Sequence, residues 1–229
     1  MKHLLTLFVA GLLSLLPAAA QIPTADPLQG KSIGVIGDSY VQNHVDRAEN
    51  TWHYKFARKH GMQYYNYGKN GTCIARDLPR WGEGIYKRYA EMKDTLDYVV
   101  VIAGHNDTTH MDSIGIGLFR ERLSQLCEGL IEKYPSAQIL FFTPWTCKGF
   151  KGSNRELVVD AMLDVCGSYG IPVFDSARRS GIYADSDRFR SVYFQGGGVN
   201  DDAHLNARGH DRFLPVAEAF ILQYVQAKD

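Results

Sequence analysis

The strongest constraint on the fold is the segment 97–103, which reads DYVVVIA and contains three adjacent valines. A run that is apolar at every position, rather than at alternate positions, is typical of a strand buried on both faces. Shorter, mainly apolar runs at 32–36, 139–142 and 171–174 predict three further strands, and the segment 62–66 predicts another short one. Such strands form the interior of a parallel sheet.

Segments with helical spacing of apolar residues separate these strands. They predict helices at 51–60, across 119–131, from 157 to 165 with an end near Gly167 or Gly170, and at 207–226. A long loop is expected between the last strand and the last helix. Strands that alternate with amphipathic helices predict a three-layer α/β/α sandwich around a five-stranded parallel sheet. We expect one domain over residues 21–229.

The first twenty residues have the layout of a secretory signal peptide. A basic start at Lys2 is followed by an apolar run over 4–16 and by small residues ending at Ala20. The apolar run is short for a bilayer span, so we expect cleavage after Ala20 and no stable membrane insertion of the mature chain. This predicts export, to the periplasm or the medium.

Composition restricts the classes of partner. Lys plus Arg and Asp plus Glu both number 25, so no strong field attracts nucleic acid, and no nucleic-acid partner is expected. Four cysteines allow three complete disulfide pairings, which sequence alone does not distinguish. Cys127 and Cys166 fall on apolar helix faces, whereas Cys73 and Cys147 fall in loops and are the favoured pair if one bridge forms.

Four short polar motifs occupy strand ends or precede the last helix. They read Gly37-Asp38-Ser39-Tyr40, Asn66-Tyr67-Gly68-Lys69-Asn70-Gly71, Gly104-His105-Asn106-Asp107 and Asp201-Asp202-Ala203-His204. Each motif alone is also typical of a turn or a helix cap. The first three follow successive strands, and the carboxyl ends of parallel strands share one sheet edge, so the motifs are expected to converge.

The four motifs, in this order over residues 34–210, resemble the conserved blocks of SGNH (GDSL-like) hydrolases. The resemblance implies a flavodoxin-like SGNH hydrolase fold and hydrolysis of a carboxylic ester. It implies that Ser39 is the nucleophile, His204 the general base and Asp201 the residue that orients it. A serine hydroxyl needs such a base, and a carboxylate fixes the tautomer of the imidazole. Asp201 is preferred over Asp202 on its spacing from His204.

The resemblance also implies an oxyanion hole. Its donors are the backbone N–H of Ser39, a glycine N–H from the second motif and the side-chain amide of Asn106. Gly71 is preferred as the glycine donor, with Gly68 as the alternative.

Substrate identity follows less directly from the residues. Tyr40, His105, Trp81 and Trp145 are candidate substrate-binding residues. Trp81 and Trp145 lie in predicted loops at strand ends, where their rings can stack on sugars, and Tyr40 can shape the wall of the pocket. With export, they favour hydrolysis of short acyl groups, such as acetyl, from a small-molecule or glycan ester. The alternatives are a lysophospholipase or thioesterase, and an inactive glycan-binding protein of the same fold.

Two groups of residues raise the possibility of a metal site. His105, Asp107 and His110 form one, and Asp202, His204 and His210 form the other. Neither has a recognised ligand spacing, so the sequence predicts no metal and no cofactor.

Overall fold

The computed structural model describes residues 26–225, so the predicted signal peptide lies outside the described residues. Its centre is a five-stranded parallel sheet with the order β2-β1-β3-β4-β5. The strands are Ser32–Gly37 (β1), Gln63–Gly68 (β2), Tyr98–Ile102 (β3), Gln138–Phe142 (β4) and Val173–Phe174 (β5). The predicted three-layer fold is confirmed, with strand boundaries that differ by one or two residues.

Helices cover both faces of the sheet. The α-helices are Ser39–Gln42 (α1), Trp52–Lys59 (α2), Ile85–Arg88 (α3), His105–Ile114 (α4), Ile116–Lys133 (α5), Asn154–Ser168 (α6), Ser176–Arg179 (α7), Asp187–Tyr193 (α8) and Ala207–Leu222 (α9). Short 3₁₀ helices occupy Ala48–Asn50, Tyr89–Glu91 and Gln195–Gly198. Among the residues described, no helix combines the length and apolar character needed to cross a membrane.

The central strands divide the core into two halves. Val100 and Ile102 of β3 face a cluster that includes Trp52 of α2 and Phe213 of α9. Val99 and Val101 of the same strand face the opposite cluster, which contains the apolar residues of α5 and α6. Alternate side chains of a strand point to opposite faces, so a strand covered on both sides must be apolar throughout.

The register of the sheet aligns the carboxyl ends of β1, β2, β3 and β4. Gly37, the last residue of β1, is paired with Gly68 at the end of β2 and with Ile102 at the end of β3. Ile102 is paired in turn with Phe142, the last residue of β4. The segments that follow these strands therefore leave the sheet at the same edge.

Three local predictions need correction. No helix was predicted directly after the third strand, but His105 and Asn106 form the first turn of the ten-residue helix α4, because Gly104 adopts φ 108° and redirects the chain within one residue. The second motif starts inside β2, which extends to Gly68 because each of its residues is paired with β1. The expected long loop after β5 contains α7 and α8.

The favoured Cys73–Cys147 pairing is also wrong for this structure, in which all four cysteines are free and buried. Instead the sulfur atoms of Cys127 and Cys166 lie 3.8 Å apart, because α5 and α6 pack side by side.

Candidate active site

Ser39 is the first residue of α1, directly after the turn that ends β1. Asp38 caps this helix, since its Oδ1 accepts a hydrogen bond from the backbone N–H of Tyr40 at 2.9 Å. Asp38 is fully buried, and burial raises the pKa of its carboxyl to about 7 against the opposing effect of the Tyr40 N–H. The side chain of Ser39 is thereby held at the sheet edge, where 5% of the residue remains exposed.

His204 and Asp201 lie in the turn that precedes α9. Oδ1 of Asp201 accepts hydrogen bonds from the backbone N–H groups of Ala203 at 3.0 Å and His204 at 2.9 Å. Its Oδ2 lies 2.8 Å from Nδ1 of His204. On the other side of the ring, Nε2 of His204 lies 2.7 Å from Oγ of Ser39. The three side chains therefore form one continuous hydrogen-bonded chain.

The hydrogen-bonding partners determine which nitrogen of His204 carries the proton. Burial alone would raise the pKa of Asp201, but the hydrogen bond from His204, its charge and the backbone N–H groups lower it. An ionised carboxylate only accepts hydrogen bonds, so the network assigns the proton of His204 to Nδ1. Nε2 is then free to accept the proton of Ser39, as a general base must.

The second motif supplies two candidate oxyanion donors, and their hydrogen bonds distinguish them. The N–H of Gly68 donates to Oδ1 of Asn66 at 2.8 Å, so it is already paired. The N–H of Gly71 has no acceptor within residues 26–225. Gly71 has φ 74°, and a Cβ atom there would overlap the ring of Trp81. The geometry therefore favours Gly71 over Gly68.

Asn106 and Asp107 connect α4 to the segment that follows Gly71. One N–H of the Asn106 amide donates to the carbonyl of Thr72 at 3.0 Å, which leaves the second N–H available. The carboxylate of Asp107 accepts from the N–H groups of Ile74 at 2.8 Å and Ala75 at 3.0 Å. Burial nevertheless raises the pKa of Asp107 to about 6. These bonds fix the loop that carries Gly71 relative to Asn106.

Comparison with known proteins identifies the family of this chain. The GDSL-like Lipase/Acylhydrolase family matches residues 35–212, a range that contains all four motifs. The chain belongs to this family. The resemblance predicted from the motifs is therefore confirmed, and membership supports ester hydrolysis in general terms. No curated protein matches the chain.

Solved structures share the GDSL-like fold at low sequence identity. A protein from Lactobacillus plantarum is 20% identical, with a TM-score of 0.72 over 86% of this chain and 99% of that one. The lipase/acylhydrolase from Enterococcus faecalis is 19% identical, with a TM-score of 0.63 over 87% of this chain and 99% of that one. A member of the lipolytic protein G-D-S-L family from Veillonella parvula is 15% identical, with a TM-score of 0.62 over 84% and 98% of the two chains. At these identities the likeness concerns the fold alone.

An aromatic stack forms the floor of the site in this GDSL-like chain. The rings of Tyr40 and Trp145 are parallel to within 8°, with centroids 3.8 Å apart, and they are 1% and 2% exposed. Nε1 of Trp145 donates to the carbonyl of Ala203 at 2.7 Å, next to His204. The prediction that Trp145 stacks on a sugar needs correction, because the rings of Trp145 and Tyr40 are buried against each other, and this burial also removes Tyr40 from direct contact with a substrate. They support the turn that carries His204.

His105 and Trp81, the two remaining candidates for substrate binding, are half-buried. Nδ1 of His105 lies 3.2 Å from the hydroxyl of Tyr40, and burial lowers the pKa of His105 to about 4. Trp81 covers Gly71 on one side and has the guanidinium of Arg80 4.7 Å from its ring centroid. Of the four candidates, these two retain partial access to solvent.

One further residue at the site, His44, was not predicted from the sequence. Its ring lies parallel to the ring of His204 within 6°, with centroids 4.2 Å apart. His44 is exposed and has a backbone φ of 53°, in the left-handed region that few non-glycine residues adopt. Neither a motif nor a periodic pattern marks this position.

The two groups of possible metal ligands raised by the sequence are not assembled among the described residues. The carboxylate of Asp107 already accepts hydrogen bonds from two backbone N–H groups. His210 is buried, and its Nε2 lies 3.2 Å from Oδ1 of Asn43. A different trio, His44, Asp201 and His204, has ligand atoms within 4.8 Å of one another. Because the lone pairs of stacked imidazoles lie in parallel planes, one ring would have to turn before both could bind one ion.

Proposed function

We propose that this protein is a serine esterase that works through an acyl-enzyme intermediate. The observation that carries the proposal is the continuous chain from Ser39 Oγ to His204 Nε2 at 2.7 Å and from His204 Nδ1 to Asp201 Oδ2 at 2.8 Å. A neutral imidazole in this position activates a hydroxyl that is otherwise a weak nucleophile.

The chemistry follows from the positions of these groups. Oγ of Ser39 attacks the ester carbonyl while its proton passes to Nε2 of His204, and Asp201 stabilises the resulting imidazolium. The N–H groups of Ser39 and Gly71 and the amide of Asn106 stabilise the oxyanion. Collapse of this intermediate breaks the bond to the alcohol, which leaves with the proton from His204. Water then attacks the acyl-enzyme with His204 again as base, and the carboxylic acid and free Ser39 are released.

We propose a short acyl group, such as acetyl, on a small-molecule or glycan ester as the substrate. The exported chain predicted from residues 1–20 would meet extracellular glycans, and the balance of 25 basic and 25 acidic residues gives no preference for polyanions. Trp81 supports the proposal, because it is a half-buried aromatic ring against the loop that carries Gly71.

A long-chain acyl substrate, as in a lysophospholipase or thioesterase, is the second candidate. One observation favours it. Val45 adjoins His44 and is 81% exposed, and Val199, two residues before Asp201, is 82% exposed. Exposed apolar side chains on loops next to a catalytic group can contact an acyl chain.

Two experiments test the proposal. A panel of p-nitrophenyl esters of increasing chain length, acetylated oligosaccharides, a lysophospholipid and an acyl thioester is assayed with wild type, Ser39→Ala and Ser191→Ala. Ser191 is an exposed serine of α8 and serves as the matched control. We expect the highest kcat/KM on acetyl esters, and loss of turnover in Ser39→Ala alone.

A fluorophosphonate probe should likewise label wild type and Ser191→Ala but not Ser39→Ala. Labelling that persists in Ser39→Ala would refute the assignment of the nucleophile. A preference for long-chain esters or lysophospholipid over acetylated sugars would replace the acetyl-ester proposal with the second candidate.

A further inference from the structure

His44 occupies a position that the proposed mechanism does not use, although it makes the closest aromatic contact of His204. The two imidazole rings overlap with centroids 4.2 Å apart and an interplanar angle of 6°. Tyr40 meets the same His204 ring at 90° with a centroid distance of 5.9 Å. With His105 at 6.4 Å and 66°, three rings surround the base in addition to its hydrogen-bonding partners.

A buried network holds the backbone that presents His44. Asn43, which precedes it, has φ 77° and is 2% exposed. Its Nδ2 donates to the carbonyl of Arg47 at 2.7 Å, and its Oδ1 lies 3.2 Å from both Nε2 of Gln195 and Nε2 of His210. Consecutive non-glycine residues in the left-handed region cost free energy, so they persist only where the surroundings fix them.

The proton of His210 is determined by its partners. Its Nδ1 accepts a hydrogen bond from the backbone N–H of Trp52 at 3.3 Å, so Nε2 carries the proton and donates to Asn43. Burial lowers the pKa of His210 well below its ordinary value, which keeps this tautomer neutral. The network therefore anchors Asn43 without a buried charge.

A second anchor acts on His44 itself. The side-chain amide of Asn70 donates to the carbonyl of His44 at 3.1 Å, and the backbone N–H of Asn70 donates to Oε1 of Gln42 at 2.6 Å. Asn70 directly precedes Gly71, the favoured glycine donor of the oxyanion hole. The loop that carries His44 is thus fixed both to the core and to the loop that carries Gly71.

We propose that His44 is a positioning residue for the catalytic base, an inference that rests on the proposed function. Hydrogen bonds to Asp201 and Ser39 act within the plane of the His204 ring and resist out-of-plane tilting only weakly. A parallel ring against one face restrains that tilt and excludes water from that face. When His204 becomes an imidazolium during acyl transfer, a neutral ring against its face also stabilises the charge.

The charge state of His44 is consistent with this role. Burial lowers its pKa, the charge of His204 lowers it further, and Asp201 opposes these effects. His44 is thereby biased towards the neutral form beside a charged His204, and repulsion between two imidazolium rings is avoided.

The test uses variants at His44 that distinguish the effect of losing the ring from the effect of changing the backbone conformation. His44→Asn removes the ring but retains a residue that tolerates positive φ, whereas His44→Phe keeps a planar ring. Ser191→Ala is again the control, because Ser191 is an exposed serine of α8 that has no assigned part in the site. Steady-state kinetics on p-nitrophenyl acetate give kcat and KM separately, and thermal melting checks that each variant is folded.

We expect His44→Asn to lower kcat roughly 2- to 12-fold with KM unchanged, the range that corresponds to the loss of one aromatic pair. His44→Phe should recover most of that loss, and Ser191→Ala should match wild type. In proton NMR, the downfield Nδ1–H resonance of His204 should broaden in His44→Asn through faster exchange with water, and should remain sharp in His44→Phe.

Asn43→Gly gives a second route to the same conclusion, because glycine adopts positive φ but lacks the amide that anchors the loop. It should lower kcat as His44→Asn does, although the chain still carries the imidazole of His44, because the loop no longer holds that ring against His204.

The other possible outcomes show whether the proposal for His44 or the proposed function fails. A rise in KM with kcat unchanged in His44→Asn would overturn the proposal and make His44 a substrate contact. Inhibition by micromolar Zn²⁺ that His44→Asn relieves, with the metal-free kcat unchanged, would also overturn it, in favour of a metal site shared with His204. Wild-type kcat in His44→Asn, together with an inactive Ser39→Ala, would refute the role of His44 alone. An active Ser39→Ala would refute the proposed function instead.

Discussion

Asp201→Asn provides the most specific test of the assigned protons. In wild type, Oδ1 of Asp201 accepts two backbone N–H groups and Oδ2 accepts Nδ1–H of His204 at 2.8 Å. The asparagine oxygen can keep both backbone bonds, so its NH₂ group must face Nδ1. Two donors cannot pair, and His204 therefore moves its proton to Nε2, where it faces Oγ of Ser39. The base then has no lone pair for the serine proton.

The expected magnitude follows from this change of tautomer. Where a triad carboxylate is replaced by an amide with unchanged geometry, kcat falls by about 10⁴, which corresponds to about 5.4 kcal/mol in the activation free energy. Because both backbone hydrogen bonds are retained, the free energy of unfolding should change by less than about 1 kcal/mol. A large loss of activity should thus accompany a small loss of stability.

The measurement is kcat on p-nitrophenyl acetate, with urea denaturation of the same samples. Asp202→Asn is the matched control: in the described part of the chain Asp202 is also half-buried, but it has no hydrogen bond to His204. Asp202→Asn should retain wild-type kcat. The reasoning is refuted if Asp201→Asn keeps more than about a tenth of wild-type kcat, or if Asp202→Asn loses as much.

Three further predictions concern the oxyanion hole, the buried acid and the cysteines. Asn106→Ala should lower kcat by about 10²–10³ with little change in KM; a large drop in melting temperature instead would mean that its bond to Thr72 is its main role. The folded-state pKa of Asp38 is raised from 3.8 to about 7, so its stabilising contribution is complete below pH 3.8 and is lost as pH rises through 7. The difference in the free energy of unfolding between Asp38→Asn and wild type should therefore shift by up to about 4 kcal/mol in favour of the variant between pH 4 and pH 8. The same difference at both pH values would contradict this. Prolonged exposure to a diamide oxidant should join Cys127 to Cys166, whose sulfur atoms lie 3.8 Å apart, and peptide mass mapping that finds a different pair would contradict the packing of α5 against α6.

The sequence predicted most of the sheet because burial on both faces leaves a local record. The segment around β3 is apolar at every position, and no solvent-facing periodicity is possible for a strand packed between Phe213 on one side and α5 on the other. Helix α4 was not predicted, because its first turn carries no apolar periodicity. Helix α4 begins with polar residues, and its start depends on the single positive φ of Gly104.

Within the site, the residues in motifs were predictable and the residues that support them were not. Ser39, Asp201 and His204 could be named because their residue types and order resemble the family blocks, and the structure brings their side chains together. The burial of Tyr40 and Trp145 could not be read from composition, because an aromatic residue near a strand end is equally compatible with an open or a covered ring face.

The sequence by itself determined the parallel α/β architecture, the family and the residues proposed for catalysis, because hydrophobic periodicity and short motifs are local properties of the chain. Tertiary structure alone decided that Cys127 rather than Cys73 has a neighbouring thiol, and that His44 stacks on His204. Each of these depends on contacts between segments far apart in the chain. Such contacts are set by the packing of the whole fold, which no local pattern specifies.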